Sequence, residues 1–400
     1  MKSRTRYATL LYTLFLIAEN CVSLPLNTSA YLSQIVEDIH AARPLRNSYQ
    51  IPCSPVFQLL TLALFYNSTN GPNWYRKDGW NSTVWTVPNI ISYVSKTCTQ
   101  KLGTSVISLP AWCCWYGVYC CLSQNSCPNI VMNNGTYVEQ LICGNCTVGN
   151  ITGLDLADNN LIGNISWSNV TQEISYPLYH QFLPAIACDM KFLFLQNNQL
   201  EETIPQALSD FTALKAVNLG YNQIRGQLPP LQNLDYLQVL AVANNRISGA
   251  LPTGICAGNN SITNLILGNN LLTGTFDTTG CRLLISVQSQ NNKIKGTLPN
   301  LTGYGALHIL QMANNLITGS IPPGFGKGKF ITSLNLASNR LNGTIPADFS
   351  LNLQYLNQLS LTNNYFEGTI PTTFFSYLGS LSAAYFDNNF LSGSIPDSIR

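Results

Sequence analysis

The sequence predicts an α/β solenoid, in which short coils stack so that one strand from each joins a common parallel sheet. Two observations lead there. An asparagine followed two residues later by an apolar residue recurs at Asn159, Asn198, Asn222, Asn245, Asn270, Asn292, Asn315, Asn339, Asn364 and Asn389, at intervals of 39 and then 22 to 25 residues. Apolar residues alternate just before each marker, as in Leu334-Asn335-Leu336, which turns one strand face inward. Composition agrees: 46% hydrophobic and 10% charged residues with 28 Gly and 20 Pro describe a long apolar interior broken by many turns, not a disordered chain. A formal charge of +2 without a basic block leaves nothing to neutralise a phosphate backbone, so nucleic acid is not an expected partner.

Residues 1–23 read as a signal peptide, with Lys2, Arg4 and Arg6 ahead of an apolar run from Ala8 to Ala18 and small residues around Ser23. The run is too short to cross a hydrocarbon layer about 30 Å thick, so cleavage and export are expected. No later stretch reaches 18 apolar residues, and no membrane span is expected in this chain. Val56 to Tyr66 reads instead as a helix closing one end of the core. Loss of Cys21 with the leader leaves twelve of the thirteen Cys, an even number suited to an oxidising compartment. Eleven Asn-x-Ser/Thr sequons point the same way: Asn27, Asn67, Asn81, Asn134, Asn145, Asn150, Asn164, Asn169, Asn259, Asn300 and Asn342.

Residues 138–400 hold about ten units. Gly stands four residues after the marker in each except at Glu202, and Ile-Pro or Leu-Pro follows in most. This Leu-x-x-Leu-x-Leu-x-x-Asn-x-Leu-x-Gly-x-Ile-Pro pattern resembles the leucine-rich repeat, in the variant of plant receptor ectodomains and polygalacturonase-inhibiting proteins. The resemblance implies a right-handed superhelix with a concave parallel sheet that recognises proteins, peptides or glycans. Ten strands at about 4.8 Å make a sheet about 48 Å long. The Asn column is read as structural, each amide both donating to and accepting from backbone groups that have left the strand ladder. Replacing Asn315 by Ala should cost about 1–3 kcal/mol.

Residues 24–137 form the N-terminal region. Within it, 53–121 resembles the N-terminal cap of the same family through Asn70-Gly71-Pro72-Asn73-Trp74, Gly79-Trp80-Asn81 and Cys113-Cys114-Trp115-Tyr116-Gly117-Val118-Tyr119-Cys120. That likeness implies Cys53–Cys113 and Cys114–Cys120 disulfides, with Cys98 and Cys121 as competitors. The stretch between Asn81 and Cys113 is longer than the cap pattern, and its conformation is open. Cys256 and Cys281 each stand eleven residues after a marker, Asn245 and Asn270, so they share one phase of adjacent coils about 5 Å apart and are expected to pair. The partners of Cys98, Cys121, Cys127, Cys143, Cys146 and Cys188 stay open. Cys143-Gly144-Asn145-Cys146 has zinc spacing but no second such motif, so no metal or other cofactor is expected. The sequence stops in mid-repeat at Ile395-Pro396-Asp397-Ser398-Ile399-Arg400 without a C-terminal cap pattern, so a missing segment or a partner is expected to cover that end.

Nothing in the sequence assembles a catalytic site. His40, His180 and His308 stand apart from any Ser/Asp or Cys/Asp arrangement, Gly324-Phe325-Gly326-Lys327-Gly328-Lys329 lacks phosphate-loop spacing, and Asp155, Asp158 and Asp387 are far apart along the array. Binding is the expected activity. The strand positions four and two residues before each marker should line the concave face, where small, amide and hydroxyl side chains dominate. Phe194, Asn218, Tyr221, Gln288, Gln290, Gln311 and Tyr385 are the candidate ligand contacts, a surface suited to a glycan or an uncharged peptide. A second candidate is the insertion around Trp167 to Cys188. The expected function is a secreted or cell-surface recognition module, possible as a receptor ectodomain. Two alternatives are an inhibitor of a secreted polysaccharide hydrolase and a structural matrix glycoprotein.

Overall fold

The computed structural model describes residues 151–165, 189–252 and, with short breaks, 255–399, together with parts of the stretch from 62 to 120. The chain divides into two units, Met1–Lys215 and Ala216–Arg400.

In the first unit, Leu62 and Phe65 are helical and buried. Phe65 meets Trp74 edge-on with ring centroids 6.0 Å apart, and Trp74 meets Trp80 the same way at 5.0 Å, an arrangement aromatic quadrupoles favour. Thr97–Leu102 (β1) and Ser105–Pro110 (β2) pair antiparallel with Cys98 opposite Leu109, so the long stretch before Cys113 contains a hairpin. Val118–Cys120 (β3) runs antiparallel to Ile151–Asp155 (β4). Ile162–Asn164 (β5) follows, and then Phe192–Phe194 (β6), which is parallel to β4. Gln199–Glu201 (β7) pairs with β5 as the start of a second sheet.

In the second unit every coil but that of Asn292 contributes a strand to each of two sheets. Ala216–Asn218 (β8) is followed by Arg225–Gln227 (β9), Val239–Ala241 (β10) by Arg246–Gly249 (β11), and Asn264–Ile266 (β12) by Leu271–Leu272 (β13). Ser286–Gln288 (β14) precedes Ile309–Gln311 (β15) and Thr318–Gly319 (β16). Ser333–Asn335 (β17), Arg340–Thr344 (β18), Gln358–Ser360 (β19), Tyr365–Gly368 (β20), Ala383–Tyr385 (β21) and Phe390–Leu391 (β22) complete the series. The main sheet runs β8-β10-β12-β14-β15-β17-β19-β21, all parallel and in register, with Leu240 between Val217 and Leu265. The second sheet comes in two runs, β9-β11-β13 and β16-β18-β20-β22.

The parallel ladder follows from the sequence phase. Leu240, Leu265, Val287, Leu310, Leu334 and Leu359 stand one above another, all buried, and each contributes about 1.5–3 kcal/mol by leaving water. Across the core, Phe325, Phe349 and Phe374 stack with centroids 6.0 and 5.8 Å apart. The return limbs are completed by 3₁₀ turns, at Leu301–Gly303, Phe374–Tyr377 and Asp397–Ile399 here and at Gln206–Asp210 in the first unit. The helical part of the expected α/β coil is therefore 3₁₀ in these limbs, since that form covers more length per residue than an α-helix and suits so short a return.

Eight of the ten marker Asn tie their coil to the one before. Asn315 is typical: Nδ2 donates to Ser289 O of the preceding coil at 3.0 Å and to Met312 O and Ala313 O of its own at 3.1 and 3.2 Å, while Oδ1 accepts from Ile294 N–H at 3.0 Å. Asn198, Asn245, Asn270 and Asn339 repeat the pattern, accepting from Leu161, Ile224, Ile247 and Ile317. Asn292, Asn364 and Asn389 accept from Leu272, Leu341 and Phe366. Asn222 donates to Leu219 O and Gly220 O. Asn159 instead joins the cap, exchanging both bonds with the backbone of Arg76 at 2.6 and 2.8 Å.

Immediately before each marker lies a left-handed residue. Asn244, Asn269, Asn291 and Asn314 all have φ of 55 to 57° and pass hydrogen bonds from coil to coil, 2.8, 2.5 and 2.7 Å long. Asn tolerates this conformation, but Tyr221 adopts it too, with φ 55°. The Gly column is the second left-handed position, and Glu202 occupies it with φ 70° where the column breaks.

The structure joins Cys256 to Cys281, with Cα atoms 4.9 Å apart. Cys120 is also disulfide-bonded. Cys53, Cys113 and Cys114 lie outside the described residues, as do Asn27, Asn67, Asn81, Asn134, Asn145, Asn150, Asn169, Asn259 and Asn300. Of the remaining sequon residues, Asn164 stands in β5 and Asn342 is exposed in β18.

Candidate binding face

Side chains that alternate with the buried leucines project from the outer face of the main sheet, and in-register pairing brings equivalent residues of successive coils side by side. In the second unit this sets Asn218, Ala241, Ile266, Gln288, Gln311, Asn335, Ser360 and Tyr385 in one column, and Gly220, Ala243, Gly268, Gln290, Ala313, Ala337, Thr362 and Asp387 in the next.

Much of the polar capacity of the first column is used internally. Asn218 Oδ1 accepts from Gly220 N–H and Asn335 Oδ1 from Ala337 N–H, both at 3.1 Å. Gln288 donates to Ser286 Oγ at 3.2 Å, and Gln311 to Ser333 Oγ of the following coil at 2.8 Å. These bonds hold the four amides in fixed orientations, and those of Gln288 and Gln311, made through Nε2, leave the carbonyl oxygens available. Gln290 lies across Gly268, where a Cβ would come within 2.7 Å of its amide nitrogen, so only glycine leaves room for that placement. Its Oε1 is buried and has no hydrogen-bond partner. Toward the end of the array, Thr362 donates to Asp387 Oδ1 at 2.9 Å, and Tyr385 is 55% exposed.

Two of the sequence candidates do not present a surface. Phe194 is 1% exposed, its ring 5.2 Å from that of Phe192, so it cannot serve as an aromatic anchor. Alternation places it on the outer face beside Asp155, yet that part of the face is closed over: Gln196, two positions on, is buried as well, with Oε1 unpartnered. Asn218, 5% exposed, is withdrawn by the same kind of burial and by its bond to Gly220. The cause is steric context that alternation along a strand does not report. Tyr221 lies at the sheet margin, 60% exposed on its left-handed residue. Gln288, Gln290, Gln311 and Tyr385 remain on the accessible stretch. Sequence reading passed over the unpartnered amide oxygens of Gln196 and Gln290, since a Gln in a strand carries no mark of whether its partners are filled. The insertion from Trp167 to Cys188 lies outside the described residues.

His308 sits at the margin of the main sheet with Nδ1 2.7 Å from Ala306 O and its ring stacked 6.0 Å from Phe330. Phe330 in turn stacks on Tyr355 at 6.0 Å. Burial raises the Asp155 carboxyl above its ordinary range against the lowering bond from Ala157 N–H.

Comparison with known proteins bears on the class. Family models match as the leucine-rich-repeat domain of the EGF-like domain-containing protein ComC over residues 186–294 and as Leucine Rich Repeat over 306–327, 330–352 and 355–377. Over these residues the chain is similar to leucine-rich-repeat proteins, and the matches support one of the plant type. Among curated relatives it is similar to Receptor-like protein 32 of Arabidopsis thaliana, 30% identical over 221 residues that make up 50% of this chain and 25% of that protein. Among solved structures it resembles the plant peptide hormone receptor RGFR1 in complex with RGF2, at 30% identity and a TM-score of 0.55 over 62% of this chain and 38% of that one. It also resembles the Arabidopsis receptor kinase HAESA in complex with the peptide hormone IDA and the co-receptor SERK1, at 26% identity and a TM-score of 0.54 over 61% and 39%. The chain thus spans a quarter or less of the length of the first curated relatives it matches.

Proposed function

We propose that the chain is an extracellular receptor-type recognition module that binds a peptide on the outer face of its main sheet, between β14 and β21. The observation that carries this is the pair of oriented amides, Gln288 and Gln311, held through their Nε2 groups so that their oxygens can accept from ligand N–H donors, with Tyr385 exposed at the end of the run. An extended peptide offers such donors at regular intervals, and an aromatic ring at the end of the run gives an anchor. The similarity to ectodomains solved with peptide hormones supports a peptide over a glycan, and it favours recognition over catalysis. The leader, the paired Cys256 and Cys281 and the exposed sequon at Asn342 favour the outside of the cell. Among the described residues no helix is long and apolar enough to cross a membrane.

The test is a panel of secreted plant peptides presented to the immobilised module. A binder should lose at least tenfold in affinity with Gln311→Ala or Tyr385→Ala and keep its affinity with Tyr236→Ala, an exposed tyrosine away from the face. Equal affinity for all variants would remove this face from consideration.

A further inference from the structure

The outward columns of the second sheet lie one and three residues after each marker Asn, and the parallel register sets the third residue of one coil beside the first residue of the next. From the coil of Asn222 to that of Asn339 the first of these columns holds no aromatic residue; it then turns aromatic at Tyr365 and Phe390. The two rings stack with centroids 6.1 Å apart and planes 15° apart, and they are 52% and 66% exposed. A single apolar residue on a surface is ordinary, but two rings ordered against each other make a platform. One face of Tyr365 is turned to Phe390, so the other is turned back toward the coil of Asn339.

The register places Asn342 of that coil directly opposite Tyr365. Asn342 is exposed, and with Gly343 and Thr344 it makes an N-glycosylation sequon. In the second unit no other coil carries a sequon Asn in the third-residue column, and the aromatic run of the neighbouring column starts at the residue facing this one. Opposed residues of neighbouring strands are about 4.8 Å apart, an interval that one sugar ring joined to the amide spans.

We propose that Asn342 carries an N-linked glycan and that the outer face of Tyr365 is the binding platform for its first N-acetylglucosamine. The donor is a lipid-diphosphate-linked oligosaccharide of the secretory route. Asn342 Nδ2 attacks the anomeric carbon, the new C–N bond replaces the C–O bond to the diphosphate, the amide gives up one proton, and the lipid diphosphate leaves. In the β-linked sugar the ring substituents are equatorial, so its axial C–H groups meet the negative face of the Tyr365 ring. Its hydroxyls and acetamide stay in water. Held in this way the glycan closes the Tyr365 side of the second sheet to other partners and leaves the outer face of the main sheet open. The proposal rests on the extracellular reading above, since only an exported chain meets the donor.

The experiment exports the full chain behind its own leader from plant cells held at the oligomannose stage. Glycopeptides are mapped by mass spectrometry, and nitration of Tyr365 by tetranitromethane is followed on the native protein. Asn342 should be occupied, and Tyr365 should nitrate about threefold more slowly in the wild type than in Asn342→Gln, because one ring face is covered. Tyr385, 55% exposed on the main sheet, should nitrate alike in both. Trimming to a single N-acetylglucosamine with an endoglycosidase should keep the protection, since the first sugar makes the contact. If the circular-dichroism melt of Asn342→Gln departs from the wild type, Thr344→Val removes the sequon with Asn342 in place, and Tyr365 should lose protection there too. Sequons occupied elsewhere with Asn342 bare overturn the proposal and leave the extracellular reading standing; a chain with every sequon bare overturns both. An occupied Asn342 with equal nitration of Tyr365 in all forms overturns the platform, and so does protection lost on trimming, which would assign the contact to the outer sugars.

Discussion

Replacing Asn315 by Ala tests the amide column directly. Its three carbonyl partners each keep a second donor: Ser289 O retains Asn292 Nδ2 at 3.2 Å, Met312 O retains Asn339 Nδ2 at 2.9 Å, and Ala313 O retains Asn291 N–H at 2.9 Å. Ile294 N–H loses its acceptor, Asn315 Oδ1, and lies within a buried contact. One orphaned buried donor plus the lost bonds to doubly served carbonyls should cost about 2–3 kcal/mol. Because coils of a repeat array can open separately, hydrogen exchange is a better assay than a single melting curve. Protection of the Ile294 amide should fall by more than that of Ile317, which relies on Asn339. Asn315→Asp keeps the acceptor but turns a carboxylate toward carbonyl oxygens, which raises its folded pKa. Its penalty should therefore be small below about pH 4 and grow as pH rises through the folded value. A loss under 0.5 kcal/mol for the alanine variant with Ile294 still protected would refute the reasoning.

Tyr221→Asn should stabilise the second unit by about 1 kcal/mol, since a bulky residue pays to adopt the left-handed conformation, and a urea midpoint reads the change. Gly153→Ala should destabilise the first unit by about 1–3 kcal/mol because its Cβ would enter the ring of Phe192, an effect that thermal unfolding can measure. Burial lowers the pKa of Lys191, and burial together with the Lys191 charge lowers that of Lys215. Between those lowered values and about 10.4 the unfolded chain binds more protons, so stability should rise with pH in that window, and Lys191→Met should flatten the rise.

The coil phase was legible because one residue type, Asn, is needed at one place in every turn, and its spacing fixed which leucines face inward. The Cys256–Cys281 pair was legible for the same reason. What the sequence did not show depends on neighbours in space. Phe194 has the strand position of an exposed residue and is buried all the same. The second sheet was missed because Arg246 to Gly249 carries no run of β-branched residues; its pairing comes from stacking, not from local preference. Asn342 and Tyr365 are a full coil apart along the chain and become neighbours only through the register of that sheet. The unfilled oxygen of Gln290 became visible only when its neighbours were placed.

The Asn column points one way. Asn315 completes the hydrogen bonding of the coil that holds Ile294, and Asn339 completes the coil that holds Ile317. A ribosome delivers these coils in order, so the newest one always waits for an amide still to be made. Closure then trails synthesis by one turn, and each amide acts as a latch that the next coil carries to the one before it.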